Sequence, residues 1–239
     1  MSKRAAGRGF EPRPRLQQNY YGRCCESKID CIIFDSDGTL VDSLNLIVSA
    51  YNYAVEPALH ETFGDEQVAS LFGPPMEKIF STVLSAKFAN DAVLRYHEYY
   101  LEHFHDFAKV YPGISELVTS LHDSNQTLGV VTGAGRIAAE LTLKLSDLST
   151  FFSTVVTGDD IGRPKPDPDG LQLAIRKMSA IPNRTIYIGD SVSDIQAAKN
   201  AGTLSAGALW GSRHSTELVK LNPDFLFHKP SDVLESLSV

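Results

Sequence analysis

With 239 residues, 43% of them hydrophobic and 9% aromatic, the chain can bury a sizeable core, as one domain with a modest insert. Its charge of −7 is unevenly divided: residues 1–28 hold seven Lys/Arg against Glu11 and Glu26, leaving fifteen basic and twenty-seven acidic side chains elsewhere, a poor surface for nucleic acid or anionic lipid. No stretch approaches the ~18 apolar residues of a membrane span, and the start lacks a secretory apolar run. Of the three cysteines, Cys24 and Cys25 are sequence neighbours unsuited to disulfide geometry, so a soluble protein in a reducing cytoplasm is expected.

The opening "MSKRAAGRGFEPRPRLQQNYYGRCCESK" is Arg-rich, Pro-interrupted and without apolar periodicity, which predicts a disordered tail over residues 1–28. Its acid-poor composition fits a transit peptide, but the prolines spoil the amphipathic helix such a peptide needs. The first strand is expected in "IDCIIF", residues 29–34, with Cys31 as a small buried hydrophobe. Asp35 and Asp37 then emerge together at the strand's end, and Gly38 permits a sharp turn. Two like charges so close are stable chiefly when a divalent cation neutralises them, and carboxylate oxygens suit Mg²⁺. An EF-hand loop is excluded, because its glycine stands sixth whereas Gly38 stands fourth.

Residues 43–110 contain no convincing strand, only amphipathic helical segments: "LNLIVSAYNYAVE", "PMEKIFSTVLSAKF" and "DAVLRYHEYYLEHFHDFA". A helical insert after the first strand would cover the carboxyl edge of the sheet, where open α/β folds bind ligands, so this stretch is expected to be a cap. His97, Tyr100 and Phe104 fall on one helical face and read as packing, although His97, His103 and His105 crowd one segment. The Gly-Pro-Pro of "LFGPPMEKIF" is first of all a turn between helices.

From residue 111 onward, helices expected in "GISELVTSLHDS", "GRIAAELTLKLSDL", "DGLQLAIRKM" and "DIQAAKNA" alternate with strands in "TLGVVT", "STVVT", "TIYIGD", "GTLSAGALW" and "DFLF". This alternation predicts an α/β fold, a Rossmann-like parallel sheet with helices on both faces. Residues 29–42 and 111–239 would form that core, with 43–110 inserted as the cap.

Three further strand ends carry polar groups. Thr132 and Gly133 precede a helix, where a hydroxyl and free backbone N–H groups make an oxyanion cradle, although many strand-to-helix turns look the same. In "GRPKPDPDG", Lys165 stands between two prolines, a stiffened ammonium suited to phosphate or simply a solvated lysine in a turn. "TIYIGDSVSD" delivers Asp190, which would complete a cation site with the first pair, and then Asp194 in the first turn of a helix. Gly-Asp-Ser alone reads equally as an ordinary capped turn.

Taken in order, "DSDGT", "VVTG", "KPDPDG" and "IGDSVSD" match the four motifs of the haloacid dehalogenase superfamily, and residues 29–239 resemble that family throughout. The insert resembles the α-helical-cap subfamily that includes phosphoglycolate phosphatase and β-phosphoglucomutase. The resemblance implies Asp35 as nucleophile forming an aspartyl phosphate and Asp37 as general acid and then base. It implies Mg²⁺ held by Asp35, the Asp37 backbone carbonyl and Asp190, with Asp194 in support. Thr132, Gly133 and Lys165 would bind the transferring phosphoryl group, and a cap loop around Gly73 and Lys78 would read the leaving group.

An aspartate at position 37 sets the chain apart from dehalogenases and phosphonoacetaldehyde hydrolases of the family. What the resemblance implies is a Mg²⁺-dependent phosphatase of a small phosphorylated metabolite, of the phosphoglycolate phosphatase type. A β-phosphoglucomutase-type phosphomutase shares every catalytic residue named, but Arg95 is the only arginine between residues 43 and 110, too few for a sugar-phosphate site. A non-catalytic regulatory protein on the same fold is disfavoured by the intact set of Asp35, Asp37, Lys165 and Asp190. Neither the metabolite's identity nor the oligomeric state is written in any motif.

Overall fold

The computed structural model describes residues 29–237; the basic stretch 1–28, expected to be disordered, lies outside the described residues. Strand β1 (Cys31–Phe34) is followed by a two-residue strand β2 (Val41–Asp42). Helices α1 (Leu44–Leu59), α2 (Asp65–Ala69), α3 (Met76–Val83) and α4 (Ala86–Phe107) come next, and β3 (Lys109–Val110) closes this insert. The remainder alternates: α5 (Ile114–Asp123), β4 (Thr127–Val131), α6 (Arg136–Leu145), β5 (Thr154–Val156), α7 (Asp169–Lys177), β6 (Thr185–Gly189), α8 (Val192–Ala201), β7 (Leu204–Ala208), α9 (Ser215–Lys220), β8 (Phe225–Phe227) and α10 (Ser231–Leu237).

Six strands form a parallel sheet in the order β5-β4-β1-β6-β7-β8. β1 lies between β4 and β6, and all four of its side chains are buried. That is why the segment is an unbroken apolar run: a parallel strand covered on both faces has no solvent side on which to alternate. The helices supply the covering layers. In α5, Ile114, Leu117, Val118 and Leu121 make one buried stripe at helical spacing. The opposite face is covered in part by Leu171, Ala174 and Ile175 of α7, packed with Cys31, Ile33 and Tyr187. All six expected strands are present, and the expected sheet with helices on both faces is the observed fold.

Within the insert, α4 is a 22-residue helix whose buried stripe is Ala89, Ala92, Tyr96, Tyr100 and Phe104. Aromatic rings join it to its neighbours: Phe80 of α3 lies 5.8 Å from Tyr96, and Tyr51 of α1 stacks on Phe80 at 5.7 Å. Phe80 has no solvent exposure, and its truncation to Ala would cost about 3–5 kcal/mol. The Tyr100 hydroxyl meets Thr142 Oγ1 of α6 at 2.7 Å, fastening the insert to the rest.

Two details of the insert depart from the sequence reading. The helical run expected over "PMEKIFSTVLSAKF" is two helices, because Leu84 and Ser85 are both extended (ψ 154°); the apolar periodicity continues on either side and hides the break. Lys109–Val110, within a segment that promised no strand, pairs antiparallel with Val41–Asp42, so both connections of the insert are tied at one place. No helix of the described residues is long and apolar enough to cross a membrane.

Candidate active site

The carboxyl ends of β1, β4 and β6 deliver the polar residues to one place. Asp35 continues the ladder beyond β1, its N–H donating to the Ile188 carbonyl at 2.9 Å. The chain then reverses through Gly38 at φ +82°, a left-handed conformation that disfavours any side chain. A Cβ at Gly38 would also stand 2.5 Å from Asp190 Oδ2, so the missing side chain is what lets the β6 carboxylate approach the β1 turn. From the same turn Thr39 Oγ1 donates to Asp190 Oδ1 (2.8 Å), and the Thr39 carbonyl accepts from the Trp210 indole N–H (2.9 Å). Asp37 Oδ1 accepts a hydrogen bond from Ser43 at 2.5 Å.

Lys165 reaches in from the loop before α7. Its Nζ donates to Asp194 Oδ1 at 2.6 Å and stands 2.9 Å from Asp35 Oδ1, an ion pair without hydrogen-bond alignment. Asp194 is fully buried and fully used. Its Oδ1 also receives the Tyr187 hydroxyl (3.0 Å), and its Oδ2 receives the N–H and hydroxyl of Ser191 (2.9 and 2.6 Å), closing a capping box on α8. Thr132, after β4, is held by its own N–H to the Val156 carbonyl (3.0 Å) and turns its hydroxyl oxygen toward the Ala134 N–H (3.1 Å).

Four carboxylates and one ammonium are therefore packed together, Asp35 and Asp194 buried and Asp37, Lys165 and Asp190 half-buried at the cavity, and their proton affinities split. Burial pushes Asp35 up to about 7, against the pull of Lys165, and pushes Asp190 well above the carboxylate range, helped by Asp194 and Asp35. Asp37 is raised as well, again by burial, although Ser43 and Lys165 oppose it. For Asp194 burial is outweighed by Lys165 and Ser191, and its pKa is lowered. Lys165 is held firmly protonated, because Asp194 and Asp35 outweigh its desolvation.

The donor set fits a hard divalent cation. Carboxylate oxygens of Asp35, Asp190 and Asp194 lie within 4.8 Å of one another. Since both Asp194 oxygens already accept hydrogen bonds, Asp35 and Asp190 are the two of this trio best placed to hold the ion.

These groups open on a cavity of about 520 Å³ between the strand ends and the insert. Asp35, Asp37, Thr132, Gly133, Lys165 and Asp190 all line it, and Gly73 lines it from the insert. Lys78, expected beside Gly73, is exposed and does not line the cavity. One residue along a helix is a rotation of about 100°, and it is Glu77 that faces inward.

A family model described as haloacid dehalogenase-like hydrolase matches residues 32–208, which takes in every motif residue just described. The chain belongs to the haloacid dehalogenase-like hydrolase family. It is 33% identical over 214 residues to pyrophosphatase PpaX of Bacillus velezensis, covering 90% of this chain and 99% of that one. Among solved structures, a haloacid dehalogenase-like hydrolase of Streptococcus pneumoniae superposes with TM-score 0.70 at 29% identity, covering 87% and 98% of the two chains. A "predicted phosphoglycolate phosphatase" of Haemophilus somnus superposes with TM-score 0.78 at 23% identity, covering 88% and 98%, a likeness of fold.

As a member of this family the chain is an enzyme, a hydrolase of the phosphatase class. Several residues of its cavity escape sequence reading: Ser43, Glu77, Tyr96 and Arg213 line it although none sits in a strand-end motif. Ser43 lies four residues beyond the first motif and reaches Asp37 only through the turn at Gly38; the others depend on how the insert packs. The histidines form no metal cluster among the described residues; His97 pairs with Glu77 and His103 with Asp106.

Proposed function

We propose that the protein is a Mg²⁺-dependent phosphomonoesterase of a small cytosolic metabolite, working through an aspartyl phosphate as the phosphoglycolate phosphatase type does. The observation that carries this reading is the placement of Lys165 Nζ 2.9 Å from Asp35 Oδ1, with Asp37, Thr132, Gly133 and Asp190 around the same cavity. Residues 43–110 act as the cap over this site, and residues 29–42 and 111–239 form the core.

An oxygen of Asp35 attacks phosphorus while the bond to the leaving oxygen breaks. Asp37, whose pKa burial raises against Ser43 and Lys165, gives its proton to the departing alkoxide. The carboxylate so formed then takes a proton from water, whose oxygen attacks phosphorus, and the bond to Asp35 breaks to release inorganic phosphate. Thr132, the Gly133 N–H and Lys165 hold the phosphoryl oxygens as charge spreads over them. Asp35, the Asp37 backbone carbonyl and Asp190, supported by Asp194, would hold Mg²⁺, which when bound supplies the positive charge that this acidic cluster and a phosphate dianion need in order to share one cavity.

Arg95 weighs against a phosphomutase. Its guanidinium lies over the Tyr53 ring at 4.0 Å and donates to the Tyr53 carbonyl at 2.8 Å, and it does not line the cavity. Phosphate release from a panel holding 2-phosphoglycolate, pyrophosphate, sugar phosphates and p-nitrophenyl phosphate, with Mg²⁺ or with chelator, tests the reading. Mg²⁺-dependent turnover that Asp35→Asn abolishes is expected, with a beryllofluoride adduct forming on Asp35. Metal-independent turnover, or an Asp35→Asn enzyme of normal rate, would overturn it.

A further inference from the structure

The wall formed by the insert carries a carboxylate that the phosphoryl chemistry does not use. Glu77, in the first turn of α3, lines the cavity. Its Oε1 lies 3.1 Å from His97 Nε2 of α4, while its Oε2 is buried and accepts no hydrogen bond. The group is pressed onto the core: a Cβ at Gly135 would stand 2.5 Å from Oε2 and 2.9 Å from Oε1. Gly135 belongs to the same short turn as Thr132 and Gly133, and the Gly73 carbonyl sits over Gly133 in the same manner, 2.9 Å from where its Cβ would be. A phosphoryl group bound at that turn therefore has its leaving group beside Glu77.

The ionised acid at this point is a carboxylate facing the His97 imidazole. Burial raises the Glu77 pKa, but His97 and the residue's own backbone outweigh it and hold the carboxyl ionised at neutral pH. A buried anionic oxygen without a donor costs free energy that a hydrogen bond recovers. The adjoining wall has the apolar Leu44, Ile47, Phe72 and Met76, and Tyr96, which also lines the cavity, makes no hydrogen bond to Glu77 Oε2. Among the described residues the cavity holds two Lys/Arg side chains: Lys165, engaged by Asp35 and Asp194, and Arg213, engaged by Glu66 of α2. The group best able to satisfy Glu77 is thus the leaving group of the substrate.

We propose that Glu77 is the specificity-determining residue of this cavity: it accepts a hydrogen bond from a hydroxyl or ammonium group on the alcohol half of the substrate and repels a second anion there. The preferred substrates are phosphate esters of polyols or amino alcohols, ahead of phosphoglycolate and pyrophosphate. This rests on the phosphatase reading and narrows it. The phosphoglycolate phosphatase type then describes the chemistry, and not the carboxylate-bearing substrate.

The test compares glycerol 3-phosphate and phosphoethanolamine with 2-phosphoglycolate and pyrophosphate, by kcat/KM with Mg²⁺ and by calorimetric binding to the Asp35→Asn protein. A donor-bearing ester should be favoured by about 10- to 100-fold, the range of one charge-assisted hydrogen bond. Glu77→Gln, isosteric and uncharged, should lower that ratio at least about 10-fold by weakening the donor esters and admitting the anionic ones. Gly135→Ala, which displaces the carboxylate without touching its charge, should lower it in the same direction. Preference for phosphoglycolate or pyrophosphate in the unmodified enzyme, or a ratio that neither substitution moves, would overturn the inference. Selective binding of donor esters without turnover of any would uphold it and sink the phosphatase reading instead.

Discussion

Oδ1 of Asp194, a carboxylate with no solvent exposure, lies 2.6 Å from the ammonium of Lys165. Asp194 has no water to fall back on, and Lys165, half-buried at the cavity, also stands 2.9 Å from Asp35. Removing Lys165 leaves Asp194 without its counter-charge, and removing Asp194 leaves Lys165 with Asp35 alone, a loss larger than the intact pair contributes. Asp194→Ala should therefore lower the unfolding free energy by about 3–5 kcal/mol, and Lys165→Ala by a similar amount, because it leaves Asp35 and Asp194 facing each other. Urea denaturation of the two variants measures this. A loss under about 1 kcal/mol in both, the size of an exposed ion pair, would show that the cluster is solvated.

The carboxylates also set a pH dependence in the absence of divalent cation. Asp35 titrates at about 7 in the folded protein and near ~3.9 in an unfolded chain. Between those values the folded state binds more protons, so unfolding free energy falls as pH rises, at up to about 1.4 kcal/mol per pH unit for one group. This contribution is whole below ~4 and gone above about 7; Asp190, raised in the same direction, adds to it. Asp194 has the opposite sign, its stabilisation being lost only as pH falls through its lowered pKa. Urea midpoints in chelator should drop between pH 5 and pH 8, and Mg²⁺ should restore the pH 8 value. Midpoints that stay level or rise with pH in chelator would count against a cluster charged as described.

How far these features were legible depends on how local their causes are. Asp35, Thr132 and Asp190 sit at the ends of apolar runs that read as buried strands, and a parallel sheet brings those ends together whatever the helices do, while Lys165 was legible from the two prolines of its loop. The insert has no such constraint. Whether Glu77 or Lys78 faces the cavity is a matter of rotational phase in an eight-residue helix, settled by the burial of Ile79 and Phe80. The β2–β3 pairing of Val41–Asp42 with Lys109–Val110 is two residues long and carries no periodicity to read.

Gly38 tests the geometry of the turn. An added methyl group must tolerate φ +82° and displace the Asp190 carboxylate, which would lie 2.5–2.7 Å away. A left-handed non-glycine residue alone costs about 1–2 kcal/mol, and the displaced carboxylate also loses its place beside Asp35. Gly38→Ala is expected to lower stability by at least that amount and to cut kcat/KM by about 100-fold or more, since a shift of about 1 Å in a reacting group has that effect. Unchanged kinetics with Mg²⁺ would mean that Asp190 need not sit where the turn allows it.

Tyr187 offers a test in which the charges stay intact. Its ring is fully buried in β6, and its hydroxyl lies 2.9 Å from the Val131 carbonyl, 3.0 Å from Asp194 Oδ1 and 3.2 Å from Lys165 Nζ. It thus spans the strand that carries Thr132 and the two charges that brace Asp35. Tyr187→Phe keeps the packing and removes one polar atom, leaving the Val131 carbonyl and Asp194 Oδ1 without the one proton they share and Lys165 with one partner fewer. The expected cost is about 1–3 kcal/mol of stability, the range for a buried group left unpaired. If Lys165 needs this brace to meet phosphoryl oxygens, kcat should fall more than KM changes, because the ammonium matters most as charge develops in the transition state. A variant equal to the parent in urea midpoint and in kcat would show that Asp194 alone aims the lysine.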